Sequence, residues 1–458
     1  MEILPIIISL ILLMYLAYKN WSVVFIAPLV SMLAVFLSQD EPILASYTQI
    51  FMKALGSYII SFFPIFLLGS LFGMLMNKSG FATCIAENIL AAFNGKYVTI
   101  AVVIACSILT YGGVSLFVVA FAVYPIANNM FYNSNLPKRL IPACISLGSF
   151  TFTMVTLPGT PSIQNSIPMP YFHTNIYAAP VFGIITSSLI LFFGLTWINY
   201  RIKKIKRLGE NYGPYKFDPT NIIKTDRKYI LIAASPVLLM LVSNFCFNQY
   251  IIPNFDTTYL SQEKFGKIEA SSVNGIWSII SAMTLTCFYT LFLARNKIGS
   301  IIENIKQAVN DSFLPIFNTA SEVGYGAVIS SLTGFALIKS MLADMDANPL
   351  IKIALSVNIL SGITGSSSGG LSISMQTLSS SFLEMANLYN ISPEILHRLS
   401  TLAAGGLDTL PHCGAVITLL SICGLKHKES YFDIFMVSCV FTTLTCILAV
   451  IYGSVIGF

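Results

Sequence analysis

The chain has 458 residues, 55% of them hydrophobic and 10% charged, and its formal net charge is +5. Soluble domains carry about 25% charged residues, so this composition excludes a water-soluble fold, extended disorder and a nucleic-acid-binding surface. The nine cysteines lie in apolar runs without CxxC pairs or zinc spacings, which indicates neither a disulfide framework nor a metal site. The composition predicts an all-α, polytopic membrane protein embedded in lipid.

Ten apolar runs approach the length of about 20 residues that a membrane-spanning helix needs. The first has no basic residue before it and no small-residue cleavage site behind it, so we expect a span rather than a cleavable signal peptide. The predicted spans are 3–18, 22–38, 57–77, 139–165, 178–200, 229–248, 273–294, 313–338, 397–423 and 432–456.

Two further apolar stretches, about 97–130 and about 350–388, have centres rich in glycine and serine. The first centre is Tyr111-Gly112-Gly113-Val114-Ser115, and the second extends from Gly362 to Gly370. We expect each stretch to be a re-entrant hairpin that enters and leaves the membrane on one side. Two closely spaced full crossings would give the same distribution of charge, so this alternative stays open.

Positive charge orients the predicted spans. The segment 201–228 contains nine Lys and Arg residues, and the positive-inside rule therefore places it in the cytoplasm. A basic run can also contact lipid headgroups, but a topology anchor between two halves is the commoner role. With both hairpins re-entrant, both chain termini are predicted to lie on the outer side of the membrane. Only six of the 25 basic residues then lie on that side. These six are Lys53, Lys264, Lys267, Lys339, Lys352 and Arg398.

The two halves of the chain resemble each other. Three motifs recur in the same order at offsets of 251 to 257 residues, and the topology gives the repeated helices opposite directions. We therefore predict a first inverted repeat over 1–200, the linker 201–228 and a second inverted repeat over 229–458, an architecture typical of secondary transporters. The matched pairs are 62–66 with 313–317, 112–115 with 369–372, and 156–159 with 409–412.

Prolines predict a broken helix in each half. Pro158, Pro161 and Pro411 each remove a backbone donor within the predicted spans 139–165 and 397–423. Unpaired backbone groups at membrane depth are tolerated where they line a protein interior or a water-filled site. The N-terminus of a half-helix carries partial positive charge, so these breaks favour binding of a carboxylate.

Acidic residues inside predicted spans are the candidates for coupling transport to an ion, because a charge in the membrane is costly. Asp408 lies at the second break, and burial favours the neutral form of a carboxyl group, so it can load and release a proton. His412 can share that proton; a purely structural cap of the following half-helix is the alternative role for Asp408. Glu322 is the other candidate, for which a structural role is equally reasonable. The chain has no His-Glu-x-x-His motif, and we expect no enzymatic activity.

The tip of the second hairpin offers hydroxyls and backbone amides that can bind a carboxylate without a full counter-charge. Close helix packing is the competing explanation for such small residues. Polar residues beyond the first break occupy the matching place in the other half. The predicted substrate-binding residues are Gly112, Gly113, Ser115, Thr160, Gln164, Asn165, Thr364, Ser366, Ser367, Ser368, Gly369, Ser372 and Thr409.

Four stretches of the second half, 365–372, 391–398, 405–420 and 424–431, resemble the gluconate permease (GntP) family. The similarity extends over essentially the whole chain, is most specific over 361–434, and is closest to the 3-hydroxybutyrate branch. It implies proton-coupled symport of a small hydroxy-monocarboxylate, similar to 3-hydroxybutyrate or to the sugar acid gluconate, across the bacterial inner membrane.

The resemblance also implies the arrangement of the ion-transporter superfamily. This is a homodimer whose scaffold domains hold two mobile, hairpin-bearing transport domains that work as elevators. Both termini would then be periplasmic, and no cofactor is needed beyond the coupling proton. Sodium coupling, and a membrane sensor without transport, are the alternatives. One departure is Cys413, where the family pattern Pro-His-Asn-Gly has Asn; a polar role for this side chain is thereby in doubt.

Overall fold

A computed structural model of the chain describes residues 2–19, 21–92, 97–114, 116–213, 229–268, 270–337, 348–411 and 413–455. Within these ranges the ordered elements are helices and there is no strand, which confirms the all-α prediction. The predicted linker is only partly covered, since 214–228 lies outside the described residues, as do Lys339, Ser115 and His412.

The helices are numbered here in chain order. The first half contains α1 (Leu4–Tyr18), α2 (Val23–Ser38), α3 (Ile43–Lys78), α4 (Phe81–Ala92), α5 (Val98–Tyr111), α6 (Leu116–Asn133), α7 (Ile141–Ser149), α8 (Phe152–Val155), α9 (Ile163–Ser166), α10 (Met169–Phe172) and α11 (Pro180–Arg207). The second half contains α12 (Ile230–Asn254), α13 (Ala270–Ala294), α14 (Ile301–Ser331), α15 (Pro349–Thr364), α16 (Ser367–Leu388), α17 (Pro393–Ala404), α18 (Gly414–Cys423) and α19 (His427–Ser454).

Five of the described helices are long and apolar enough to cross a membrane: α3, α11, α12, α13 and α19. Several shorter apolar helices accompany them, among them α2, α5 and α18. The predicted interruptions coincide with helix ends. Helices α5 and α6 flank 112–115, α15 and α16 flank 365–366, and both predicted broken spans consist of separate short helices.

Helix α14 differs from the predicted span 313–338. It begins at Ile301, where the Ser300 hydroxyl accepts a hydrogen bond from the Glu303 backbone N–H at 3.4 Å, and it ends at Ser331. The apolar run predicted the start of this helix too far along the chain, because the first turns of α14 contain polar residues. Glu322 consequently lies about two thirds of the way along the helix, rather than one third of the way along a span.

Helices α3 and α14 carry the repeated Phe-x-Pro-Ile-Phe motif and pack against each other. The rings of Phe63 and Phe313 stack with centroids 6.1 Å apart. The Ser70 hydroxyl donates to the Ala308 carbonyl at 2.9 Å. Advancing from Phe63 to Ser70 along α3 therefore moves back from Phe313 to Ala308 along α14, so the two helices are antiparallel.

An ion pair joins the two halves of the chain. Arg201, near the end of α11, donates from Nε to Asp433 Oδ1 on α19 at 2.6 Å, and from NH2 to Oδ2 at 3.1 Å. Asp433 also accepts from the Trp197 indole at 3.0 Å. This two-point contact positions α19, which follows the second break, against a helix of the first half.

Candidate functional site

The tip of the second hairpin is a tight turn between α15 and α16. Gly365 has a left-handed φ of +63°, a conformation that only glycine adopts readily. Ser366 caps α16, because its Oγ accepts a hydrogen bond from the Gly369 backbone N–H at 3.1 Å. The Thr364 hydroxyl donates to the Ser366 carbonyl at 3.0 Å, and the Ser368 hydroxyl lies 3.2 Å from that of Ser366. Most of the predicted hydroxyls therefore shape the tip itself.

Ser367 is the residue at which the tip meets both helix breaks. The side-chain amide of Gln164, on α9 after the first break, donates to Ser367 Oγ at 2.9 Å. The carboxylate of Asp408, in the second break, lies beside the same hydroxyl and beside the backbone N–H groups of Asp408 and Thr409. Parts of the two halves that are distant in sequence therefore converge on one serine.

Asp408 keeps one oxygen free within this junction. The residue is 3% exposed, and among the described residues its Oδ1 has no hydrogen-bond partner. A buried carboxylate of this kind is stabilised by a partner such as a proton, an ion or a polar substrate. The neighbouring Thr409 is less available, because its hydroxyl lies 3.3 Å from the Cys439 thiol.

Glu322 approaches the hairpin from α14. A Cβ atom on Gly369 would overlap with Glu322 Oε2, so the absence of a side chain at Gly369 makes room for this carboxylate. The Ser366 hydroxyl lies next to it, while Oε2 is buried without a hydrogen-bond partner in the part of the chain that is described. The tip therefore has two buried acids as neighbours, Asp408 at Ser367 and Glu322 at Ser366.

Asn165 stabilises the loop at the first helix break. Its side-chain amide donates to the Thr160 carbonyl at 2.9 Å and to the Ile176 carbonyl at 3.1 Å. Gly159 has a φ of +84°, which turns the chain before this loop. The Thr160 hydroxyl is buried and has no partner among the described atoms. Asn165 is thus a structural organiser of the break, while Gln164 reaches the hairpin tip.

Arg398 is one of the six basic residues that the predicted topology assigns to the outer side of the membrane. It is fully buried within the protein, at 0% exposure. Its guanidinium donates to Asn165 Oδ1 at 2.7 Å, to the Ile176 carbonyl at 2.9 Å and to the Ala178 carbonyl at 2.9 and 3.1 Å. No carboxylate among the described residues forms a salt bridge with Arg398, so backbone and amide oxygens of the first break satisfy its charge.

His397 joins the same network. One ring nitrogen, Nε2, lies 3.1 Å from Asn165 Oδ1, and the other, Nδ1, lies 2.6 Å from the Thr174 hydroxyl. A signal for both residues was present in the sequence. They open the predicted span 397–423, and ionisable residues within a span face the protein interior. Helix α17 therefore carries two polar side chains that fix the first break from the second half.

The first hairpin tip contributes packing at the positions that are described. A Cβ atom on Gly112 would overlap with the Val237 side chain on α12, and one on Gly113 would lie 3.2 Å from Pro161. The Tyr111 hydroxyl donates to the Pro158 carbonyl at 2.9 Å. The structure thus places this tip against the first break; the predicted Ser115 lies outside the described residues.

The residue that departs from the family pattern, Cys413, is the N-cap of α18. It is buried, and its thiol lies beside the backbone N–H groups of Ala415 and Val416 without forming a capping hydrogen bond. An Asn side chain would accept such a bond more strongly than a thiol does. A cysteine at this position therefore caps α18 less well than the expected asparagine would.

The family model described as GntP family permease matches residues 1–450. The chain belongs to this family. It is 40% identical, over an alignment of 467 residues that covers 99% of both chains, to a Bacillus subtilis (strain 168) protein named "Uncharacterized transporter YxjC". The predicted resemblance, which was expected over essentially the whole chain, is therefore confirmed.

Among solved structures, the fold is similar to that of the YdaH transporter from Alcanivorax borkumensis. The TM-score is 0.57 at 14% identity, over 90% of this chain and 89% of that chain. Identity at this level is evidence for the fold alone. Together with the apolar helices, membership of a permease family makes this chain a multi-pass membrane transporter rather than an enzyme.

Proposed function

We propose that the protein is a secondary active transporter that carries a small hydroxy-monocarboxylate together with a proton. The observation that carries this proposal is the junction at Ser367, where a buried acid with a free oxygen, Asp408, meets the tip of a hairpin. Because Ser367 neighbours both the proposed substrate site and a protonatable acid, it can link substrate binding to proton binding. His412 stays a proposed partner of Asp408 in proton transfer. Glu322 is proposed as a second acid that can carry the coupling proton.

The substrate is proposed to bind at the N-terminus of α16. The first backbone N–H groups of a helix lack partners within the helix, and they carry the positive end of its dipole. In α16 the Gly369 N–H already donates to Ser366 Oγ, which leaves the N–H groups of Ser367 and Ser368, next to the Gln164 amide of the first break. Such a set of donors suits a carboxylate, and 3-hydroxybutyrate and gluconate are the substrates that the family resemblance favours.

The proposed mechanism is alternating access of the elevator type. The chain is proposed to consist of two inverted repeats and to form a homodimer in the bacterial inner membrane. The antiparallel packing of α3 on α14 supports inverted repeats, because these helices carry the same motif in opposite directions. In this arrangement the basic linker 201–228 is cytoplasmic, and both chain termini are periplasmic.

Uptake by proteoliposomes tests this function. Purified protein should take up labelled 3-hydroxybutyrate or gluconate, and an inwardly directed proton gradient should drive accumulation above the external concentration. Accumulation that follows a sodium gradient and ignores the proton gradient would replace proton coupling by the sodium alternative. Absence of both uptake and counterflow exchange, in protein shown to be folded, would favour a sensor and contradict transport of these acids.

A further inference from the structure

A cavity of about 390 Å³ opens beside the N-terminal part of α3, some distance from the hairpin tip. Helices α3, α10 and α16 contribute its polar wall, through Gln49 and Ser57, Tyr171 and Gln376 respectively. Lys53 is the one cation among the described residues that line it, and its side chain is exposed. We call this space the Lys53 vestibule.

One face of α16 leads from the vestibule to the hairpin tip. Gln376, Ser372 and Gly369 are spaced by four and three residues, so they lie on the same side of the helix. The distance along the helix from Gln376 to Gly369 is about 10 Å, at 1.5 Å per residue. The vestibule and the tip are therefore separated by about two helical turns of one surface.

The intervening turn carries two buried hydroxyls that face each other, those of Tyr58 and Ser372. The Tyr58 hydroxyl, on α3, faces Ser372, and Tyr171 of the vestibule wall lies close to Tyr58. Tyr58 and Ser372 are both 2% exposed, and in the described part of the chain neither hydroxyl completes a hydrogen bond, with the other or with a third group. Buried hydroxyls without partners are uncommon in folded proteins, because their desolvation is costly.

We propose that the Lys53 vestibule is an outer binding site that captures the carboxylate substrate before it reaches the hairpin tip. Lys53 attracts the anion to the mouth, where it is the local cation. The hydroxyls of Tyr58 and Ser372 then offer donors to the carboxylate on its way inward. At the inner end, the Glu322 carboxylate accepts a hydrogen bond from the substrate's own hydroxyl group, which favours hydroxy acids over plain fatty acids.

This inference rests on the proposed function, and it is tested by transport kinetics. In proteoliposomes, Lys53→Gln should raise the KM for 3-hydroxybutyrate about fivefold while the maximal rate stays near that of the parent, since loss of a steering charge slows capture. Lys53→Arg should restore the parental KM. Added salt should raise the KM of the parent and leave that of Lys53→Gln nearly unchanged, because salt screens only a charge that is present.

Two further variants make the test specific. Lys264→Gln removes the same charge from an exposed position that does not line the vestibule, and it should keep the parental KM. Ser57→Glu adds a negative charge to the vestibule wall and should raise the KM as Lys53→Gln does. A KM for Lys53→Gln equal to that of Lys264→Gln, in a parent that does transport the acid, would overturn the vestibule proposal alone. A parent that takes up no carboxylate would contradict the proposed function, and this inference with it.

Discussion

Replacing Asp408 by Asn is expected to abolish proton-driven accumulation of substrate while substrate exchange across the membrane continues. The amide has nearly the same shape as the carboxyl group and resembles its neutral form, so the junction with Ser367 is preserved. It cannot bind and release a proton, however, and transport is then uncoupled from the proton gradient. We expect accumulation in proteoliposomes to fall about tenfold or more, to the level set by exchange alone, since intramembrane acids serve as proton relays.

The control for this substitution is Asp311→Asn. Asp311 lies exposed in the first half of α14, so its replacement removes one negative charge without touching the hairpin tip. It should accumulate substrate as the parent does. Retention of proton-driven accumulation by Asp408→Asn would refute the coupling role of Asp408 and leave it as a cap of the second break. Glu322→Gln would then be the next variant to measure.

Replacing Arg398 by Met is expected to destabilise the protein strongly. Met fills a similar volume but donates no hydrogen bond, and it leaves the Ala178 carbonyl without its guanidinium donors. Unsatisfied buried acceptors cost about 1–3 kcal/mol each, so a loss on the order of 3 kcal/mol is expected for the network. Arg398→Lys keeps the charge but not the planar fork of donors, and it should show an intermediate loss.

The melting temperature of the detergent-solubilised protein measures this effect. Arg295→Met is the matched control, because Arg295 is exposed at the end of α13, where its guanidinium lies over the Phe292 ring. It should melt close to the parent. A melting temperature for Arg398→Met that is the same as for Arg295→Met would show that the first break is held by Asn165 and the loop itself, without help from α17.

Much of the fold could be predicted because the membrane leaves few choices. Long apolar runs in lipid must form helices, which satisfy their own backbone. Proline and glycine also marked the interruptions at 112–115, 158–161 and 365–370. Helix α14 was harder, because polar residues such as Glu303 and Asp311 occupy its first turns and hydropathy begins to rise only later. A pattern of hydropathy gives the apolar part of a helix and not its capped start.

The candidate site could be predicted in part. Intramembrane charge identified Asp408 and Glu322, whose separate positions around one hairpin tip depend on packing between helices distant in sequence. The role of Arg398 could not be obtained from charge counting, which treats each basic residue as solvated. The role of a glycine in such a tip could not be predicted either, because it depends on which neighbour fills the space that the missing side chain leaves. Gly369 leaves room for a carboxylate, whereas Gly112 accommodates the Val237 side chain, and both are simply small residues in the sequence.

The carboxylate substrate is proposed to bind at Ser367 of the hairpin tip. The most direct test is equilibrium binding of 3-hydroxybutyrate and gluconate to Ser367→Ala, by calorimetry on the purified protein, with Ser380→Ala as control. Ser380 lies exposed farther along the same helix. Loss of a hydrogen bond to a charged group costs about 1.5–3 kcal/mol, so the Kd should rise about tenfold to a hundredfold in Ser367→Ala and stay unchanged in Ser380→Ala. An unchanged Kd in Ser367→Ala, for an acid that the parent binds, would contradict this account of the site.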